Sequence, residues 1–169
     1  MLLFAYSKAF DKEVSRVTIE EENIQFQLVS NLEFEELFAC VKQGLFIHVD
    51  SVFGWDDDFQ RQRLLNEYNP SWFHWVYLGK QRVGLVCFKP YDNAYHVHLQ
   101  IISHQYQDQS IGKKVMSRIH EKAHQEQRNQ VTLSSFRSNT RAISFYQALD
   151  YQIVDDSDTN FVGMTLYLN

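Results

Sequence analysis

Four groups of residues have the types and spacing for chemistry. The first is Gln107-Asp108-Gln109-Ser110-Ile111-Gly112, followed by Lys113. Upstream lies the β-rich stretch Tyr95 to Ile102. Downstream, Ile111, Val115, Ile119 and Ala123 recur at every fourth position, the stripe of an amphipathic helix. A polar loop leading from a strand into a helix aims backbone N–H groups and the positive helix end at one point, which suits an anionic phosphate. Gly112 lets a ligand reach that backbone without a Cβ in the way. Ordinary turn chemistry would explain the same glycine. The second group opens on the helix-capping Asn139 and sets Ala142, Phe145, Tyr146 and Leu149 on one helical face. The third is His96, His98 and Gln100, expected on one face of the strand with Val97, Leu99 and Ile101 on the other. A histidine with a pKa near ~6.5 can relay a proton. A metal would need a third ligand, and none is evident, so no metal is expected. The fourth is Phe53, Trp55, Asp56, Asp57 and Asp58, aromatic walls beside carboxylates, a mixture that suits a cationic amine. The acidic start of a helix would use the same aspartates.

Together the first two groups resemble the GNAT family of acyl-CoA-dependent N-acyltransferases. The pyrophosphate loop of that family reads Gln/Arg-x-x-Gly-x-Gly/Ala, matched here by Gln107 through Gly112. Its later helix reads Asn-x-x-Ala-x-x-Phe-Tyr and ends near Gly-Phe. Asn139, Ala142, Phe145 and Tyr146 match it. The resemblance runs from about Phe73 to the C-terminus, and the first half of the chain matches more loosely. Ser110 stands where the family usually has its first glycine. Asp150 stands where glycine precedes the closing aromatic, here Tyr151, and Asp108 puts an acid beside the expected phosphates.

The resemblance implies roles. The backbone of Gln107, Asp108, Gln109, Ser110, Ile111, Gly112 and Lys113 would cradle the pyrophosphate of acetyl-CoA. The Ser110 hydroxyl would either join it or cap the helix. Ile102 and Ser103 would pair with the pantetheine arm, as an added strand does at a sheet edge. Asn139 would reach that arm as well as cap its own helix. Tyr146 matches the tyrosine that often protonates the leaving thiolate, and a phenol with a pKa of ~10 carries its proton at neutral pH. A backbone N–H near Ile101 or Ile102 would steady the oxyanion. His98 would take the amine's proton, directly or through water. Trp55, Asp56 and Phe53 would select the acceptor. The function implied is acetyl transfer from acetyl-CoA to a primary amine of a small cationic acceptor, by direct attack in a ternary complex and without a metal. Two other readings stay open: a non-catalytic CoA- or amine-binding regulatory module on the same fold, and a protein-interaction domain using its aromatic surface.

The elements that must position these groups follow from periodicity. Ile24 to Leu28 alternates as a strand. Asn31 caps a helix that Gly44 ends near Gln43, and a second helical region runs from Phe46 to Tyr68 with a break at Phe53 to Asp58. Trp72–Leu78 and Arg82–Lys89 are strands joined by Gly79-Lys80, and Pro90 to Asn93 is a turn. After the central strand, loop and helix come a strand from Val131, the Asn139 helix, and a closing hairpin in which Val162, Met164, Leu166 and Leu168 alternate. The order is β-α-α-β-β-β-α-β-α-β-β. That predicts an α/β fold: a mixed, mostly antiparallel sheet of about seven strands with helices on both faces.

Composition agrees with a single domain over residues 1–169, with 1–22 as a possible N-terminal arm. Hydrophobic residues form 44% of the chain, enough for a core. A net charge of −5 argues against a nucleic-acid partner that relies on a basic surface, and favours a cationic small molecule. Cys40 and Cys87 have no metal or disulfide spacing and read as small core residues. The apolar opening is too short for a signal segment and no run approaches membrane-spanning length, so a cytoplasmic location and no membrane partner are expected. A homodimer through the apolar terminal strand is a further expectation.

Overall fold

The structure, a computed structural model, describes residues 23–169. Residues 1–22, read as a possible N-terminal arm, lie outside them. The elements are β1 (Ile24–Leu28), α1 (Phe34–Phe53), α2 (Asp57–Glu67), β2 (Phe73–Leu78), β3 (Gln81–Tyr91), β4 (Ala94–Ile102), α3 (Ile111–Gln125), β5 (Gln130–Phe136), α4 (Thr140–Gln147), β6 (Gln152–Asp155) and β7 (Phe161–Tyr167). Their sequence is the expected one. Seven strands form one sheet in the order β1-β2-β3-β4-β5-β7-β6. Only β4 and β5 run parallel; every other neighbouring pair is antiparallel.

Two apolar layers cover the two faces. Val115, Met116, Ile119 and Ala123 of α3 pack with Val76, Val86, Val97 and Val131 on one. Leu37, Phe38 and Val41 of α1 pack with Trp75, Leu85, Cys87 and Leu99 on the other. The 3.6-residue stripe of α3 is therefore buried along its length, and burial of such side chains is worth about 1.5–3 kcal/mol each.

Several local expectations are corrected. Gly44 does not end a helix: α1 runs through it and stops at Gly54, whose φ is +76°. Gly44 marks a close approach instead. A Cβ there would stand 2.7 Å from Ile101 Cγ1, so only glycine lets α1 lie this near to β4. Ser30, not Asn31, caps the first helical turn, in a capping box with Glu33. Pro90 lies inside β3, near its end, and the turn narrows to Asp92-Asn93. The last strand, β7, lies between β5 and β6, so both its edges are taken within the chain. The expected pairing of that strand with a second copy has no free edge to use.

The most consequential correction is in β4. Cys87 of β3 pairs with Leu99, but Phe88 pairs with Val97, leaving His98 as an extra residue on β4. The bulge resets the alternation. Tyr95 and Val97 pack on the α3 face, whereas Leu99 packs on the α1 face and Ile101 meets Gly44 of α1. Gln100 turns toward α3, apart from His96 and His98. Strand periodicity cannot reveal such a slip, because one unpaired residue inverts every side chain that follows.

Candidate active site

The parallel pairing of β4 with β5 ends at Val97 opposite Leu133. Beyond it the two strands diverge, and two cavities fill the wedge. The first, of about 570 Å³, lies on the α3 side between the loop after β4 and α4. Gln107, Asp108, Ser110, Ile111, Gly112 and Lys113 line it, with Ile102, Asn139 and Tyr146. Ser103 and Gln109 are not among its lining residues.

The loop is built to leave backbone donors at its mouth. Lys114 N–H donates to the Ser110 carbonyl, the first bond of α3. The N–H groups of Ile111, Gly112 and Lys113 precede it in the first turn, where a helix has no internal acceptors. Ser110 adopts φ +61° and its side chain makes no cap bond, so the capping role expected for it falls to its backbone. Asp108 is also left-handed, at φ +59°, and so is Asp150, at +67°. Ser110 and Asp150 stand where the family pattern has glycines, and each holds the backbone conformation that glycine would take. Gln107 donates through Nε2 to the Ile102 carbonyl at 3.0 Å. Gln109 donates to the Gln105 carbonyl at 3.0 Å. Both side chains thus brace the loop rather than project from it.

The acid beside the expected phosphates is answered. Asp108 Oδ1 accepts from Arg141 at 2.6 Å. Both side chains are largely exposed, so the pair adds little to stability. Its effect is on charge: Arg141 and Lys113 line the mouth together with that one acid.

Backbone directions along β4 follow from its ladder. Ser103 N–H donates to the Val83 carbonyl at 2.9 Å, and the Ser103 carbonyl accepts from Tyr106 N–H at 2.8 Å. In antiparallel alternation Ile101 also bonds toward β3, while Gln100 and Ile102 turn their backbone groups to the open wedge. Ile102 therefore faces the cavity and Ser103 does not.

Tyr146 is buried, and its hydroxyl donates to Gln100 Oε1 at 3.0 Å. Gln100 Nε2 in turn donates to the Gly112 carbonyl at 2.8 Å. One amide thus joins the phenol to the first turn of α3. Burial raises the phenol well above its ordinary pKa, which keeps it a proton carrier across the neutral range. Asn139 caps α4 by accepting from Ala142 N–H at 3.1 Å, which leaves its amide N–H₂ for other partners. Sequence reasoning missed Gln100 because the bulge hid its direction, and missed Arg141 because its partner Asp108 lies 33 positions upstream.

The second cavity, of about 870 Å³, lies on the α1 side of the wedge. Phe53, Asp56, His96 and His98 line it, with Phe136 and Phe161. The two cavities share Gly44, Gln100, Asn139, Ala142 and Tyr146 in their walls. Of the residues expected to select an acceptor, Trp55 is not in this cavity. It packs on Phe38 and Phe46 and donates through Nε1 to Asp57 at 2.6 Å. Asp56 both caps α2, accepting from Phe59 N–H at 2.7 Å, and lines the cavity.

His98 is held face to face with Trp72, rings 5.7 Å apart. Its Nε2 is buried without a protein partner among the described residues. Burial first, then the neighbouring His96, Lys89 and Arg63 charges, lower its pKa to about 4. It is therefore neutral at pH 7 and a weaker base than its ordinary value suggests. His96 donates or accepts at Thr132 Oγ1, 2.8 Å away. Among the described residues no cluster of three or more histidine, cysteine or acidic side chains has metal-binding geometry. Cys40 and Cys87 are free, and burial pushes the Cys40 thiol up to about 11, away from thiolate chemistry.

A family model described as the acetyltransferase (GNAT) family matches residues 33–151. No curated protein matches the sequence. Solved structures of the same fold are numerous. The PaiA N-acetyltransferase of Thermoplasma acidophilum, determined in complex with coenzyme A, aligns with a TM-score of 0.67 at 14% identity, over 86% of this chain and 99% of its own. An acetyltransferase from Thermus thermophilus aligns with a TM-score of 0.70 at 16% identity, over 88% and 99%. The ribosomal-protein-S18-alanine N-acetyltransferase of Escherichia coli aligns at 0.62 and 11%, over 86% and 94%. At these identities the likeness speaks to the fold.

Proposed function

The chain belongs to the GNAT acetyltransferase family, and on that premise we propose that it moves an acetyl group from acetyl-CoA to the primary amine of a small acceptor, by direct attack in a ternary complex. One observation carries this reading: two cavities on opposite faces of the sheet share a wall at Tyr146 and Gln100. A donor held in one and an acceptor held in the other would meet there.

The α3-side cavity takes the cofactor. The N–H groups of Ile111, Gly112 and Lys113 receive the pyrophosphate, with Lys113 and Arg141 adding positive charge. Bare backbone suits this task because Gly112 has no spare room: a Cβ would sit 3.3 Å from both Gln100 Nε2 and Phe145 Cζ. Ile102 offers its outward backbone groups to the pantetheine arm, and Asn139 offers its free amide hydrogens. The remaining N–H group on the wedge side of β4, at Gln100, is the candidate to steady the developing oxyanion, a contribution typically worth ~3 kcal/mol per donor.

Tyr146 supplies the proton to the departing sulfur. Between turnovers its hydroxyl keeps that proton and donates a hydrogen bond to Gln100 Oε1. Breaking one neutral hydrogen bond of this kind costs ~1 kcal/mol, small beside the ~10²-fold or more that a positioned acid contributes. On the other side, His98 lines the cavity, but its buried Nε2 and low pKa make it a weak base, so water in the cavity takes the amine's proton. Asp56 draws the amine into the cavity as a cation.

Two measurements test the reading. Acetyl-CoA is expected to raise the melting temperature, since a ligand at a hundred times its dissociation constant adds ~2.7 kcal/mol to stability. Thiol release is expected to depend on an added amine. No shift at saturating acetyl-CoA would remove the cofactor assignment. A shift without amine-dependent release across polyamines, aminosugars, amino acids and arylalkylamines would instead favour a regulatory CoA-binding module.

A further inference from the structure

The acceptor-side cavity is walled by rings and nearly lacks free charge. Phe161 lies between two others: its ring is 4.6 Å from Phe136 and stacks on Phe53 at 6.2 Å and 21°. Phe53 remains 62% exposed and Phe59, also in the lining, 63%. Rings left this open to solvent, inside a concavity, are apolar area waiting for a partner. Across from them His98 is fixed parallel to Trp72 and edge-on to Tyr68, at 5.7 and 5.2 Å.

The charges tell the other half. Two carboxylates line the cavity among the described residues, Asp56 and Glu67. Glu67 already accepts from Arg63 Nε at 3.1 Å. Asp56 Oδ1 caps α2, leaving the other oxygen. One oxygen answers one ammonium. A polyamine would bring two or more, and an aminosugar would bring hydroxyls that rings cannot satisfy.

We propose that the acceptor is a primary amine carrying one aromatic ring on a short alkyl stem, its ring seated against Phe53 and Phe161 and its single ammonium drawn by Asp56. This rests on the transferase reading above. It narrows the acceptor from any cationic amine to a monocationic arylalkylamine.

The test uses 2-phenylethylamine, n-propylamine, spermidine and glucosamine, with acetyl-CoA and thiol release for turnover, and calorimetric titration for binding without turnover. The expected result is a kcat/KM for 2-phenylethylamine about tenfold or more above the others, in line with what ring packing contributes. Phe53→Ala lies at an exposed helix end, and circular dichroism is expected to report an intact fold. It is expected to raise KM for 2-phenylethylamine by about three- to tenfold and to lower kcat/KM for n-propylamine by a smaller factor. Preference for spermidine or glucosamine would overturn this proposal and leave the transferase reading standing. Binding of 2-phenylethylamine without turnover of any amine would sink the transferase reading and keep the cavity assignment. Neither binding nor turnover of the aryl amine would overturn the proposal outright. An equal loss for both amines in Phe53→Ala would also contradict it, since a merely structural role for Phe53 predicts that pattern.

Discussion

The two cavities that meet at Tyr146 are built in opposite ways. In the α3-side cleft the loop after β4, the mouth of α3 and the outward edge of β4 present backbone groups, opposite side chains of α4. The α1-side cavity is made of side chains contributed by α1, α2, β4, β5 and β7. Backbone binding needs few residue types and one continuous stretch. Side-chain binding needs many elements to arrive together. The first arrangement tolerates Ser110 and Asp108 where glycine-like conformations are required. The second ties its selectivity to particular rings.

Breaking the cleft should therefore have the largest effect. Gly112→Leu would drive a side chain into Gln100 and Phe145 and cover the N–H groups. Acetyl-CoA affinity is expected to fall by about 10²-fold or more, the loss of a charge-assisted set of donors, while circular dichroism reports an intact fold. Retained affinity would show that the loop is not the phosphate cradle.

Gln100→Leu comes next. It keeps the side-chain volume but frees the Tyr146 hydroxyl, and leaves a buried phenol without its acceptor. Turnover is expected to drop by up to about tenfold, because the phenol loses the partner that positions it, an effect on the scale of one buried hydrogen bond. Acetyl-CoA affinity should change much less. An unchanged kcat would mean that the amide does not govern the phenol.

Arg141→Ala exposes the charge of Asp108 at the mouth of the cleft. Acetyl-CoA binding is expected to weaken by a few-fold, more at low salt than at high. Asp108→Asn in that background should recover most of the loss. If both substitutions weaken binding, the pair acts as a structural strut.

The stability of the whole chain should respond to acid. His98 has a folded pKa of about 4, below its ordinary 6.5, and burial lowers His96, His74 and His120 in the same direction. As pH falls the unfolded chain takes up these protons first. The stability they contribute is complete above pH 6.5 and is lost on the way down to about 4. Melting temperature should decline through that window, and His98→Phe should make the decline shallower. An undiminished slope in that variant would assign the effect to other groups. Ser110→Gly and Asp150→Gly should each have a small stabilising effect, up to ~1 kcal/mol, by relieving left-handed backbone.

The same contrast explains what could be read beforehand. The order of elements along the chain, the α3 stripe and the strand–loop–helix junction from Gln107 to Gly112 follow from local pattern, because periodicity and a loop motif are contiguous. The α1-side cavity was only partly legible. Phe53 and Asp56 of the aromatic-acidic run line it, but Trp55, two positions from Phe53, turns to Phe38 and Phe46. Phe136 and Phe161 come from strands whose approach no local pattern announces. The bulge at His98 defeats strict alternation, so the direction of Gln100 could be known only from the ladder. Gly44 carried a signal that was assigned to helix termination, although its physical reason is the nearness of Ile101.

The central claim is that Tyr146 gives its proton at the place where the two cavities join. It is tested by Tyr146→Phe, comparing kcat with the dissociation constant for acetyl-CoA. The account predicts that kcat falls by about 10²-fold or more while the dissociation constant moves less than about threefold, as for a group that acts only in the chemical step. An unchanged kcat, or a loss confined to acetyl-CoA binding, would contradict it.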